Sequence, residues 1–127
     1  MKYYYARKID LPFEKAIEAV TAALKTEGFG VLTEIDVKAT LKKKLDVEFR
    51  NYRILGACNP SSAHKALLAE DKIGTMLPCN VVVQETDEGV EVATVDPLGS
   101  MRAIENPALT EVAIEIQHRL QKVVDSL

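Results

Sequence analysis

Residues 52–83 read YRILGACNPSSAHKALLAEDKIGTMLPCNVVV, and this stretch decides how the chain folds. Tyr52–Ala57 is apolar enough to form a strand in the middle of a sheet. The strand has to stop at Cys58-Asn59-Pro60, because Pro60 cannot donate to a ladder and holds Asn59 out of the helical region. Asn59 or Ser61 then caps a helix over Ser62–Glu70, with Ala63, Ala66 and Leu67 at helical spacing and Asp71-Lys72-Ile73-Gly74 closing it. After Met76-Leu77-Pro78 the chain returns to extended structure at Cys79-Asn80, and Asn80–Glu85 reads as the next strand. Both cysteines of the chain lie here, each followed by an asparagine. Pro60 sends the first Cys-Asn pair out of a strand, whereas Val81 takes the second into one. The expectation is that the end of one strand meets the start of the next and gathers Cys58, Asn59, Cys79 and Asn80 in one place.

Working outward toward the carboxyl end, Thr86-Asp87-Glu88-Gly89 has the composition of a tight hairpin turn into a strand over Val90–Val95. Asp96–Met101 reads as an irregular loop. Asn106 caps and Pro107 fills the first turn of a long helix, whose stripe Leu109, Val112, Ala113, Ile116, Leu120, Val123, Val124 and Leu127 must lie across the sheet.

Toward the amino end, Tyr3–Ile9 is a strand. Asp10 and Pro12 start an amphipathic helix with Phe13, Ala16, Ile17, Val20 and Leu24 on one face, and Gly28 ends it. Phe29–Asp36 is a second strand, with Phe29, Val31 and Thr33 on one side. Val37–Leu45 has good helix formers and little apolar surface, so it reads as a short surface helix. The whole is an α+β domain spanning residues 1–127, of order β-α-β4-α. It has one antiparallel or mixed sheet with two long helices on one face and short helical insertions, because each long helix has a single stripe to bury.

The 127 residues are 47% hydrophobic and 28% charged, the balance of a globular chain with a core of its own. A net charge of −3 opposes a nucleic-acid partner, and Lys42-Lys43-Lys44 is read as a solvated face. No uncharged run approaches the length of a membrane span. Met1–Lys8 carries charges where an export signal needs apolar residues, so the expected location is the cytoplasm, where both cysteines would be free thiols.

Gly28-Phe29-Gly30-Val31, Ile54–Pro60 and Ile73–Val83, together with Asp96-Pro97, make the chain resemble the domain-of-unknown-function family numbered 302 over essentially its full length. The resemblance implies a β-α-β4-α fold grouped with the TATA-binding-protein-like folds, and homodimers. It implies no activity.

The residues leave three readings of the Cys-Asn segments open. The first is a catalytic or redox thiol at Cys58 or Cys79, with His64 within reach of Cys58. The second is a soft-metal site for Cu(I) or Zn built on Cys58, Cys79 and His64. The third is a small, polar-lined site for a small-molecule ligand, or a structural one, formed by Cys58, Asn59, Cys79, Asn80 and Asp96, with Asn59 and Asn80 facing each other. The third is the leading expectation, which favours a binding or structural module over an enzyme. Glu34, Asp36 and Asp96 are weaker candidates for acid–base work. Walker-type, dinucleotide-binding, nucleophile-elbow and zinc-protease motifs are all absent.

Overall fold

The computed structural model describes residues 2–127. Five strands form one sheet: β1 (Tyr4–Ile9), β2 (Gly30–Asp36), β3 (Tyr52–Cys58), β4 (Cys79–Thr86) and β5 (Gly89–Val95). Their order across the sheet is β1-β5-β4-β3-β2, and every neighbouring pair is antiparallel. The apolar run 54–57 therefore lies in an interior strand. The two edges go to β1 and β2, which carry more polar residues.

The helices are α1 (Phe13–Thr26), α2 (Val37–Leu45), α3 (Pro60–Ala69), α4 (Pro97–Ser100) and α5 (Pro107–Asp125), with a 3-10 turn over Asp71–Met76. Antiparallel pairing sends alternate residues to opposite faces. Leu55, Ala57, Val81, Val83, Val90 and Val92 meet α1 and the second half of α5 in the main core. A smaller cluster of Ala66, Ile73 and Leu109 joins α3, the 3-10 turn and the first half of α5. The apolar stripe of α5 is longer than the sheet alone needs because it serves both clusters.

Four local expectations change. Asp10 does not cap α1: the capping position is Pro12, with no side-chain hydrogen bond. Asp96–Met101 is not irregular, because the Asp96 carboxylate accepts from the amides of Leu98 and Gly99 at 3.0 and 3.3 Å and starts α4. Thr33 does not share a side with Val31. Val31 pairs with Ala57 and Thr33 with Gly56, so Leu32 is a bulge that shifts the alternation by one. Finally, Glu34 and Asp36 are not an open carboxylate pair: with Glu14 they surround Arg53, at 2.9 Å for Glu14 and Glu34 and 3.6 Å for Asp36. α2 is the expected surface helix, without a buried residue, and Asp36 caps it by accepting from the Ala39 amide.

Candidate functional site

The two core clusters do not close completely on each other. Between them lies an open-mouthed cavity of about 330 Å³. Its floor is the junction of β3 and β4, with Ala57, Cys58 and Cys79. One wall is α3, with Asn59, Ser62, Ala63 and Ala66, and the other is the first half of α5, with Leu109, Val112, Ala113 and Ile116. Leu77, Pro78, Pro97 and Met101 complete it from the loops.

The local sequence explains this shape. Asn59 accepts from the Ser62 amide at 3.2 Å and caps α3 as it leaves the strand, with Pro60 in the first turn. The small side chains of Ala63, Ala66 and Ala113 on the facing helices leave the space unfilled. The Leu32 bulge carries a side chain that is 68% exposed toward the mouth. At the far side Asp96 also accepts from Gln117 at 3.0 and 3.1 Å, which fastens α4 and its Pro97 to α5.

The ladder places Cys79 opposite Ala57 and Asn80 opposite Gly56. Cys79 is therefore on the helix side and buried, whereas Asn80 opens to the other face and is exposed. The facing pair of Asn59 and Asn80 does not form: strand alternation separates Asn80 from the other three residues. His64 lies on the solvent side of α3, exposed, and takes no part in lining the cavity, because the helix turns Ser62, Ala63 and Ala66 inward instead. Asp96 is used up in its cap and in Gln117, and it too is outside the lining.

Both thiols are free. Burial, with a smaller contribution from neighbouring Cys58, pushes the Cys79 thiol from 9.0 up to about 11. Burial thus keeps Cys79 a protonated, apolar wall residue at neutral pH, without the lowered value that a nucleophilic thiolate requires. Cys58, at the strand end, is half-buried. A polar-lined hollow was expected; the lining is overwhelmingly aliphatic.

The family model described as "Domain of unknown function DUF302" matches residues 5–127. The chain belongs to this family. A solved structure described as "Crystal structure of uncharacterized conserved protein DUF302 from Bacillus stearothermophilus" is 30% identical and superposes with a TM-score of 0.92, over 98% of each chain. Comparison with curated proteins gives no match.

In this DUF302 chain the donors expected for Cu(I) or Zn do not assemble. Among the described residues no group of three or more His, Cys, Asp or Glu side chains is placed to hold a metal. With His64 turned to solvent, Cys58 and Cys79 do not make a four-coordinate site within one chain. No helix of the described residues is long and apolar enough to cross a membrane. The residues that sequence reasoning missed are the apolar ones. Their signal was present in the small residues of α3 and in the length of the α5 stripe, but an apolar stripe reads the same whether it faces a core or a cavity.

Proposed function

We propose that this protein is a small-ligand-binding module that holds a compact apolar molecule between α3, α5 and the β3–β4 junction. The cavity carries this reading. Its volume of about 330 Å³ lies in the range of small-molecule pockets, roughly 300–1,000 Å³. Apolar walls hold water poorly and gain free energy when apolar surface fills them. The two cysteines serve as wall residues, and their free thiols suit a reducing cytoplasm.

Titration with a fluorescent apolar probe such as 1-N-phenylnaphthylamine tests this. Saturable enhancement is expected, with loss of binding and unchanged or raised thermal stability in the cavity-filling variants Ala63→Trp and Ala113→Phe. A wild-type protein that binds no probe, or filled variants that bind as well as wild type, would refute the reading.

We further infer that the partner is a second copy of the chain, docked on the sheet face that α1 and α5 leave open. Ladder alternation puts Tyr4, Ala93, Val82, Ile54 and Ile35 there, with Tyr4 37% and Ile35 47% exposed. Lys8 and Glu91 are cross-strand partners on the same face and supply both signs of charge, as a self-complementary twofold contact requires. Light scattering is expected to give twice the chain mass for wild type and a monomer for Val82→Lys. A monomeric wild type ends this reading.

A further inference from the structure

A second, smaller hollow of about 210 Å³ adjoins the main cavity. Pro97, Met101, Leu109 and Ala113 line both, so the two spaces are neighbours across these four side chains. Beyond them the second hollow continues to Leu98 and Ile104 and ends at exposed Arg102 and Thr110, none of which lines the main cavity. Pro97 and Met101 form one side of the divider, at the start and end of α4, and Leu109 and Ala113 of α5 form the other. Three of the four side chains have little freedom to give way. The Pro97 ring is tied to its own backbone and fully buried, and Leu109 and Ala113 are 2% and 4% exposed on the α5 stripe. Met101 differs. Its amide donates to the Pro97 carbonyl at 2.9 Å, which fixes its backbone, but its side chain is only half-buried. That side chain is unbranched, with three rotatable bonds and a shape that adapts to what lies beside it.

We propose that Met101 sets the length of the ligand: its side chain stops a short, unbranched apolar chain at the end of the main cavity, and without it a longer chain runs on into the second hollow. The inference rests on the apolar-ligand reading above and adds the specificity-determining residue to it. Each methylene that passes from water into an apolar space gains free energy, and one that stays in water gains none. Affinity plotted against chain length therefore marks where the space ends. In wild type that end is Met101, and truncating its side chain joins the main cavity to the second hollow of about 210 Å³.

The test titrates the 1-alkanols from butanol to decanol as displacers of the fluorescent probe. In wild type, affinity is expected to rise about 4-fold per methylene while the chain lengthens inside the main cavity, and then to level off. In Met101→Ala the rise should continue, so that a chain two carbons past the wild-type limit binds roughly 16-fold more tightly than it does to wild type. Met101→Val, a smaller truncation, should move the limit in the same direction and serves if the alanine variant is too unstable to purify. Thr110→Phe fills the second hollow from its outer end. Added to Met101→Ala it should restore the wild-type limit, and alone it should leave wild type unchanged. A wild-type limit that persists in both Met101 variants overturns the assignment, as does a limit shortened by Thr110→Phe alone, since the chain would then already pass Met101. If the fluorescent probe binds but no alkanol displaces it, the length assignment falls and the apolar cavity stands. Failure of the probe and of every alkanol overturns the cavity reading itself.

Discussion

Gly56 and Pro78 approach so closely across the β3–β4 boundary that a Cβ on Gly56 would stand 2.7 Å from Pro78 Cγ, and nearer still to Thr33 Oγ1. The Thr33 contact follows from the Leu32 bulge, which sets Thr33 opposite Gly56. The Pro78 contact fixes the loop that brings Pro78 and Cys79 to the cavity. Gly56→Ala forces both neighbours apart and is expected to cost about 1–3 kcal/mol, the scale of overpacking in a tight core. The urea midpoint measures this, and adding Thr33→Ala should recover part of the loss. A wild-type midpoint for Gly56→Ala would mean that the strands yield freely here.

The buried thiol of Cys79 gives a pH signature. A thiol is neutral when protonated, so a value raised to about 11 in the folded chain means that the folded state holds this proton more tightly than the unfolded one. Its contribution is complete below about pH 9 and is lost as pH rises toward 11. By linkage, two pH units correspond to about 2–3 kcal/mol. Denaturation midpoints between pH 8 and 11 should fall more steeply for wild type than for Cys79→Ala. Tyr5, raised by its hydrogen bond to Asp125, has the same sign but is present in both proteins. At pH 7.5 iodoacetamide should label half-buried Cys58 well before Cys79. Parallel pH slopes, or equal labelling, would show that Cys79 is not shielded.

Periodicity made the architecture legible, because its signals are local. The α5 stripe, the Thr86–Gly89 hairpin, the caps at Asn59 and Asn106 and the interior run 54–57 each declare themselves within a few residues. The meeting of Cys58 and Cys79 at one cavity also follows from the order of elements, since β3 and β4 pair with Ala57 opposite Cys79. What failed was anything set by a single-residue phase. Asn80 sits one residue past Cys79 and so faces the opposite side. One bulge at Leu32 moves Thr33 across the sheet, and two helical positions separate inward Ser62 from His64, which faces solvent. The apolar character of the cavity was hidden for a different reason. Packing shortfall between two clusters is a property of summed volumes, and sequence spacing carries no measure of it.

Asn106 is a cap with a second task. Its Oδ1 accepts from the Ala108 amide at 3.1 Å, and its Nδ2 donates to the Ala69 carbonyl at 2.8 Å, tying the start of α5 to the end of α3. Asp36 caps α2, an exposed helix, and its one further contact among the described residues is the 3.6 Å ion pair with Arg53. Asn106→Ala should therefore cost about 1 kcal/mol more than Asp36→Ala, because it also leaves a part-buried carbonyl unpaired. Equal urea midpoints for the two variants would show that the α3–α5 tie contributes nothing.

Asp96 holds the opposite wall of the cavity. One carboxylate starts α4 through the Leu98 and Gly99 amides and also takes both hydrogen bonds offered by Gln117 of α5. α4 is only four residues long and has no helical stability of its own. Its place, and that of Pro97 and Met101 in the cavity wall, depends on this one side chain. Asp96→Ala is expected to destabilise the protein by about 1–3 kcal/mol and to speed release of the apolar probe, since the wall loses its anchor to α5. Gln117→Ala removes only the second link, leaves the cap intact and should give the smaller change in both measurements. If Asp96→Ala releases the probe at the wild-type rate in stopped flow while lowering stability, α4 is a structural turn that plays no part in holding the ligand.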